Sequence, residues 1–147
     1  EIKAMASFQS HATSNPNAMA QYAAMKALEG GDECIAPMVA QFEERRDAMV
    51  EKINQIPGLS CRKPQGAFYI MMNVQRILGK SYHGRIIENS KTFAELLLAE
   101  KHVAVVPGSA FEAEGFCRLS YAVAKEQCME GLNRIEEFIS ELTDAPW

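Results

Sequence analysis

The sequence lacks most of the short motifs that identify a catalytic or nucleotide-binding class. It contains neither GxGxxG nor a GxxxxGK run followed by Ser or Thr, which excludes the two common nucleotide-binding fingerprints. GxSxG is also absent, so Ser109 in the segment PGSAF is interpreted as a turn residue rather than as a nucleophile. The four cysteines have no CxxC spacing and the three histidines form no Cys/His set, so no metal site is predicted.

Basic clusters and long apolar runs are absent as well. The net charge is -4 at pH 7 and the lysines and arginines are scattered, which argues against nucleic acid as a partner. No apolar run reaches the roughly 18 residues of a membrane span, and the chain does not start with a secretory signal segment. The cysteines lie in apolar runs, as small buried residues do in a reducing compartment. We therefore expect a cytoplasmic protein without a membrane or nucleic-acid partner.

The 147 residues present are enough for one domain with a core of its own. A content of 48% hydrophobic and 23% charged residues is typical of a globular protein. Internal repeats, low-complexity tracts and interdomain linkers are not recognisable, so residues 1–147 are predicted to form a single domain. The first residue is Glu1 rather than methionine, which is expected of a processed chain or of a piece of a longer one.

Apolar residues at helical spacing predict four helices. The segments are 14–29, 32–56, 90–101 and 125–142. Ser14 or Asn15 is predicted to cap the first helix, and Gly30 and Gly31 are predicted to end it. Ser90 is the predicted cap of the third helix.

Four further segments predict short strands. Two lie in 59–74, separated at Pro64–Gly66, and the continuous apolar run 67–72 predicts burial on both faces. The others are 103–107 and 116–122, whereas the polar stretch 76–91 is predicted to be a loop. The resulting order of helices and strands predicts an α+β domain, with a small, mostly antiparallel sheet of about four strands covered by helices on one face.

The strand FCRLSYA, residues 116–122, has an arginine in an otherwise apolar setting. Alternation along a strand places Cys117, Leu119 and Tyr121 on one face and Arg118 on the other. A guanidinium is permanently charged and offers a planar fork of donors, so a semi-buried arginine needs an anionic partner. That partner is either a carboxylate of the protein, in an internal ion pair, or a bound ligand; an exposed sheet edge is the third interpretation.

Several blocks, in this order and spacing, resemble the C-terminal part of class I pyridoxal-phosphate aminotransferases, and the aspartate aminotransferase type is the nearest match. The blocks are HATSNPNAMAQYAAMKAL, PQGAFYIMMNV, VAVVPGSAFEAEGFCRLSYA and the amphipathic closing helix. The resemblance covers essentially the whole chain. It implies the small domain of that fold, with the large cofactor-binding portion absent.

The resemblance also implies roles for individual residues. Arg118 matches the arginine that forms a bidentate pair with the α-carboxylate of the substrate, and Phe68 in GAFY matches a position that lines the substrate side of the site. An aromatic residue in an apolar strand is equally well explained as core. Ser14 and Asn15 match a segment near the subunit interface and the neighbouring active site, although helix capping explains them as well.

The resemblance implies substrates and a cofactor for the full-length enzyme. That enzyme would move the amino group of an amino acid, with aspartate favoured, to a 2-oxo acid, with 2-oxoglutarate favoured, and would be a homodimer that uses pyridoxal 5'-phosphate. The Schiff-base lysine and the groups that hold the cofactor lie upstream of Glu1 in this family. No catalytic or cofactor-binding residue is therefore assigned here, and the chain alone is expected neither to bind the cofactor nor to transaminate. A stand-alone carboxylate-binding or structural domain is the alternative.

Overall fold

The computed structural model describes residues 1–144. The chain divides into two compact units, Glu1–Val39 and Ala40–Trp147. Within the described residues, no helix combines the length and the apolar content that crossing a membrane requires. The assignment of residues 1–147 to one C-terminal small domain stays a prediction.

The first unit contains two helices, α1 (Ile2–Ala12) and α2 (Ala18–Glu29). Sequence periodicity did not predict α1. The predicted cap of α2, Ser14 or Asn15, was wrong, because the Asn17 side chain accepts a hydrogen bond from Met19 N at 2.9 Å and caps the helix instead. The predicted end of α2 is confirmed, since Gly30 follows its last residue.

Three further helices, α3 (Ala36–Gln55), α4 (Ser90–Lys101) and α5 (Lys125–Ser140), match the other predicted helices. The predicted start of α3 was four residues early. The cap of α4 is Asn89 rather than Ser90, because the Asn89 side chain accepts from Thr92 N at 2.9 Å. Ser90 instead becomes the first helical residue and is fully buried.

The second unit is built around an antiparallel sheet with the strand order β1-β2-β6-β5. Its strands are β1 (Ser60–Cys61), β2 (Tyr69–Asn73), β5 (Val106–Pro107) and β6 (Phe116–Ser120). Strand β6 lies between β2 and β5, and Arg118 pairs with Met71 on one side and Val106 on the other. The predicted α+β class and the sheet of about four antiparallel strands are therefore confirmed.

Helices α3, α4 and α5 cover one face of this sheet. Alternate residues of β2 and β6 point into the core with side chains from all three helices. These strand residues are Ile70, Met72, Cys117 and Leu119, none more than 7% exposed. Burial of apolar area of this kind stabilises a domain by roughly 25 cal/mol per Å². Burial also raises the pKa of the Cys117 thiol to about 12, which leaves the thiol unreactive. Cys34, in contrast, is exposed, contrary to prediction.

The stretch 76–91 was wrongly predicted to be a loop. It forms β3 (Lys80–Tyr82) and β4 (Arg85–Ile86), which make a second sheet with β7 (Thr143–Asp144) in the order β4-β3-β7. These strands have only two or three residues, too few for an alternating pattern to stand out in the sequence. The Tyr82 ring stacks on Phe138 of α5, with ring centroids 4.5 Å apart, and joins this sheet to the core.

Candidate functional site

The face of the four-stranded sheet that the helices do not cover contains Arg118. Tyr69 and Met71 of β2 share this face and remain partly exposed. The prediction that the apolar run of β2 is buried on both faces is therefore wrong for the described residues. We call this surface the open face. The predicted alternation in β6 is confirmed, because Cys117, Leu119 and Tyr121 are buried whereas Arg118 is only half-buried.

Two aromatic rings contact the Arg118 guanidinium. Its Cζ lies 4.3 Å from the centroid of the Tyr69 ring and 4.4 Å from the centroid of the Phe111 ring. Tyr69 belongs to β2, on one side of β6. Phe111 belongs to the 3-10 turn Gly108–Phe111, which follows β5 on the other side. The rings therefore approach the cation from the two flanks of its own strand.

Arg118 has no carboxylate partner within the described chain. None of the ion pairs formed by residues 1–144 includes its guanidinium, although their N–O distances reach 3.9 Å. Of the partners left open by the sequence, an internal ion pair is therefore not found in this part of the protein. A half-buried guanidinium with its donors unmatched by a carboxylate is suited to bind an external anion.

Phe68 lies next to this site rather than in the core. Its side chain is 40% exposed, and its ring centroid is 4.3 Å from that of Tyr69. The backbone bends just before it, where Ala67 has a φ of 57°. Two hydrogen bonds hold the bend, because the Tyr121 hydroxyl donates to the Ala67 carbonyl at 2.9 Å and Tyr121 N donates to the Phe68 carbonyl at 3.0 Å. Phe68 and Arg118 thus both contact the ring of Tyr69.

A carboxylate that sequence reasoning missed fixes the loop next to Phe111. Glu114 accepts hydrogen bonds from Ser90 N at 2.6 Å, Ser90 Oγ at 3.0 Å and Gly115 N at 3.0 Å. These bonds, the one from the Ser90 backbone foremost, hold the pKa of Glu114 below its usual value. The only sign of this contact in the sequence was Ser90, which was predicted to cap α4. Ser90 instead donates to the carboxylate of Glu114, 24 residues downstream.

A cavity of about 620 Å³ lies on the open face beside Tyr69. Its lining includes Arg62, Lys63, Met71 and Phe116, but Arg118 is not among the lining residues. Tyr69 therefore contributes to both the cavity and the arginine site. Arg62 is an exposed arginine of this surface without the aromatic contacts of Arg118.

The described residues do not fit pyridoxal phosphate. A lysine that forms a Schiff base must lose its proton, which a neighbouring carboxylate opposes. Seven of the eight lysines contact a carboxylate at distances of up to 3.9 Å. Lys101, for example, lies 2.8 Å from Glu137 and 2.6 Å from Glu141, and both carboxylates raise its pKa above the usual range. The eighth, Lys3, is exposed on α1.

Ser14 and Asn15 lie in the first unit, between α1 and α2, and both are exposed. Neither caps a helix, because Asn17 performs that function. The implied role of this pair at a subunit interface stays a prediction. Among residues 1–144, no group of three or more His, Cys, Asp or Glu side chains is arranged to hold a metal ion.

Comparisons with known proteins agree with the resemblance seen in the sequence. The family model for "Aminotransferase class I and II" matches residues 2–135. The aspartate aminotransferase of Streptomyces avermitilis is 43% identical over 143 residues, which are 97% of this chain and 35% of that protein. A probable aspartate/prephenate aminotransferase of Rickettsia felis is 44% identical over 136 residues, which are 92% of this chain and 33% of that protein.

A solved structure is similar over the same extent. The aspartate aminotransferase from Rhizobium meliloti superposes with a TM-score of 0.89 at 42% identity, covering 97% of this chain and 36% of that one. The chain thus spans about one third of the length of the relatives it matches. Since the family model matches more than nine tenths of its residues, this chain belongs to the class I and II aminotransferases.

Proposed function

We propose that this chain is the C-terminal part of an aminotransferase that moves the amino group of an amino acid to a 2-oxo acid, and that Arg118 binds the α-carboxylate of both. The single observation on which this rests is the half-buried guanidinium of Arg118 on the open face, in contact with two aromatic rings and without a carboxylate partner in residues 1–144. Aspartate and 2-oxoglutarate are the proposed substrates, since two relatives are named as aspartate or aspartate/prephenate aminotransferases.

The geometry favours a carboxylate as the ligand. Tyr69 and Phe111 approach the guanidinium from opposite flanks of β6, so the N–H edge is the part of the group left to make hydrogen bonds. Two parallel N–H groups on that edge match the two oxygens of a carboxylate, and such a bidentate pair fixes the orientation of the ligand as well as its position. Orientation of the α-carboxylate would in turn direct the amino group toward the reacting centre.

The cofactor and the assembly belong to the same proposal. Class I aminotransferases depend on pyridoxal phosphate, which, when bound, supplies the aldehyde and the electron sink for amino transfer. The described residues do not fit this group. We therefore propose that the Schiff-base lysine and the phosphate-binding residues belong to a further part of this protein, which corresponds to the portion of the relatives that this chain does not span. A homodimer in the cytoplasm is the proposed assembly and location.

Substitution of Arg118 in the complete gene product tests the proposed role. Replacing Arg118 by Ala removes a bidentate, charge-assisted pair, so we expect kcat/KM for aspartate and for 2-oxoglutarate to fall by about 100-fold or more. Arg118→Lys keeps the charge but not the fork and should recover only part of the loss. Steady-state kinetics with each substrate varied in turn measures both effects.

Arg62→Ala is the matched control, because it removes the same charge from the same surface but from a residue that makes neither of the two aromatic contacts of Arg118. We expect it to change kcat/KM by less than about twofold. Equal losses in Arg118→Ala and Arg62→Ala would contradict the proposed role of Arg118. The reading frame upstream of Glu1 supplies an independent test, since the proposal requires a Schiff-base lysine there.

A further inference from the structure

We propose that Phe111 is a positioning residue for Arg118, and that the hydrogen bonds between Glu114 and Ser90 fix the loop that places it. The loop is residues 108–115. This inference deepens the proposed function and rests on it, because it concerns how Arg118 is held ready for a carboxylate. In this arrangement the Phe111 ring holds the guanidinium plane, and the carboxylate meets only Arg118.

The first step concerns the position of Phe111. Its ring is 43% exposed, yet its centroid lies 4.4 Å from the Arg118 Cζ. A cation within about 6 Å of an aromatic centroid is attracted by the negative face of the ring. Without Phe111, Tyr69 would contact the guanidinium from the β2 side only, and the guanidinium would be free to turn toward the β5 side. The long arginine side chain has many rotamers, so a second ring restricts it to fewer of them before a ligand arrives.

The second step concerns the backbone of the loop. Ala113 N donates to the Gly108 carbonyl at 2.9 Å, so the loop closes on itself around the 3-10 turn. The closure is tight, because a Cβ at Gly108 would lie 2.0 Å from the Ala113 carbonyl oxygen and 2.5 Å from that of Phe116. Both neighbours are backbone atoms that cannot move aside as a flexible side chain would. Only glycine therefore fits at this position, and Phe111 lies inside a loop with a single compact conformation.

The third step concerns the anchor of the loop. Ser90 is fully buried at the start of α4, and its N–H and hydroxyl both donate to the Glu114 carboxylate. Ser90 Oγ also accepts a hydrogen bond from Ser109 N at 3.4 Å. One buried serine thus binds both ends of the loop, and a carboxylate at the N-terminus of a helix is further stabilised by the helix dipole. The position of Phe111 is therefore set by a helix of the covered face.

A series of variants in the complete gene product tests this inference. Phe111→Leu keeps an apolar side chain but removes the ring, and we expect KM for both substrates to rise about fivefold, which is the size of an exposed cation–π contact. Turnover should change by less than about twofold, because a carboxylate contact present in both ground and transition states affects KM alone. Phe111→Tyr keeps the ring and should restore KM to within about twofold of the parent.

Two controls separate positioning from general stability. Leu98→Ala shortens another exposed apolar side chain, 52% exposed on α4, and should leave KM unchanged. Phe111→Leu added to Arg118→Lys should raise KM by less than about twofold, since the planar group that the ring holds is already gone.

The outcomes distinguish the two proposals. If Arg118→Lys raises KM but Phe111→Leu does not, the positioning role is wrong and the proposed function stands. If Arg118→Lys leaves KM unchanged, the proposed function is wrong and the positioning role falls with it. A rise in Phe111→Leu that Phe111→Tyr fails to restore, or that Leu98→Ala reproduces, also overturns the positioning role.

Discussion

The two faces of the four-stranded sheet differ in what their residues contact. On the covered face, Ile70 and Met72 of β2 meet Cys117 and Leu119 of β6 beneath three helices, and all four are nearly inaccessible to solvent. On the open face, the alternate residues of the same strands are Tyr69, Met71 and Arg118, and each remains partly accessible. The same two strands therefore supply the core with one set of side chains and the candidate site with the other.

This difference shows how the domain separates stability from binding. A covered face needs apolar side chains that fill space, because burial of apolar area is the main stabilising contribution. An open face is free to hold a cation, provided that neighbours support it. Here the support comes from the Tyr69 ring and from Phe111, which a loop anchored to α4 brings to the same surface. Substitutions that disturb the anchor of this loop at α4, on the covered face, should therefore affect the position of Phe111 on the open face.

Two adjacent methionines give the largest contrast between the faces. Met72 is fully buried on the covered face, so Met72→Ala should lower the free energy of unfolding of the chain by about 3 kcal/mol through lost burial and a residual cavity. Met71 lies on the open face opposite Arg118, and Met71→Ala should cost less than about 1 kcal/mol. Urea unfolding followed by circular dichroism measures both. Similar losses in the two variants would contradict the assignment of the faces.

Much of this arrangement was predictable from local sequence pattern. The alternation in residues 116–122 placed Arg118 opposite Cys117 and Leu119, and the structure confirms it because the period of a strand is fixed by its backbone. Likewise, apolar spacing predicted three of the helices that cover the core. The resemblance to class I aminotransferases, confirmed by the family match, predicted that Arg118 is the candidate carboxylate-binding residue.

Other features could not be predicted because they depend on contacts between distant segments. The bond between Glu114 and Ser90 forms only when the loop meets the start of α4, and no local pattern marks a carboxylate for that use. Phe111 likewise meets Arg118 only because β5 and β6 are neighbours in the sheet. The apolar run of β2 misled the prediction of burial, because Tyr69 packs against a guanidinium rather than into a core. Sequence pattern reports which residues are apolar but does not report their partners.

Removal of the Tyr121 hydroxyl, on the covered side, should have an intermediate effect on the free energy of unfolding. Tyr121 is only 2% exposed, and its hydroxyl donates to the Ala67 carbonyl at the bend that leads into Tyr69. Tyr121→Phe removes that bond and keeps the ring, so it should lower the free energy of unfolding by about 1 kcal/mol. Ser120→Ala, an exposed neighbour, is the control. A loss in Tyr121→Phe no larger than in the control would show that the bend is held by other contacts.

The smallest effect on the free energy of unfolding is expected from substitution of Glu114, and it should be recognisable because it depends on pH. The folded-state pKa of this carboxyl lies below its ordinary value of 4.5, so its contribution to stability is present above that pH and is lost as the pH falls through the folded-state pKa. Glu114→Gln should therefore cost about 0.5 kcal/mol at pH 7, a modest figure because the residue is exposed, and the two proteins should converge once the pH falls below the folded-state pKa. Urea unfolding at several pH values measures the difference.

Glu112→Gln is the matched control for that experiment, because Glu112 is an exposed carboxylate of the same loop. Its difference from the parent should stay near zero at every pH. A difference for Glu114→Gln that stays constant from pH 7 through the acid range in which the carboxyl becomes protonated would mean that the charge of Glu114 does not stabilise the loop. Packing around Gly108 alone would then hold Phe111 in place. The protonated carboxyl and the amide of glutamine both lack the charge that the Ser90 N–H binds. A difference that declines with falling pH would therefore show that the ionised Glu114 side chain connects α4, on the covered face, to the loop that places Phe111 on the open face.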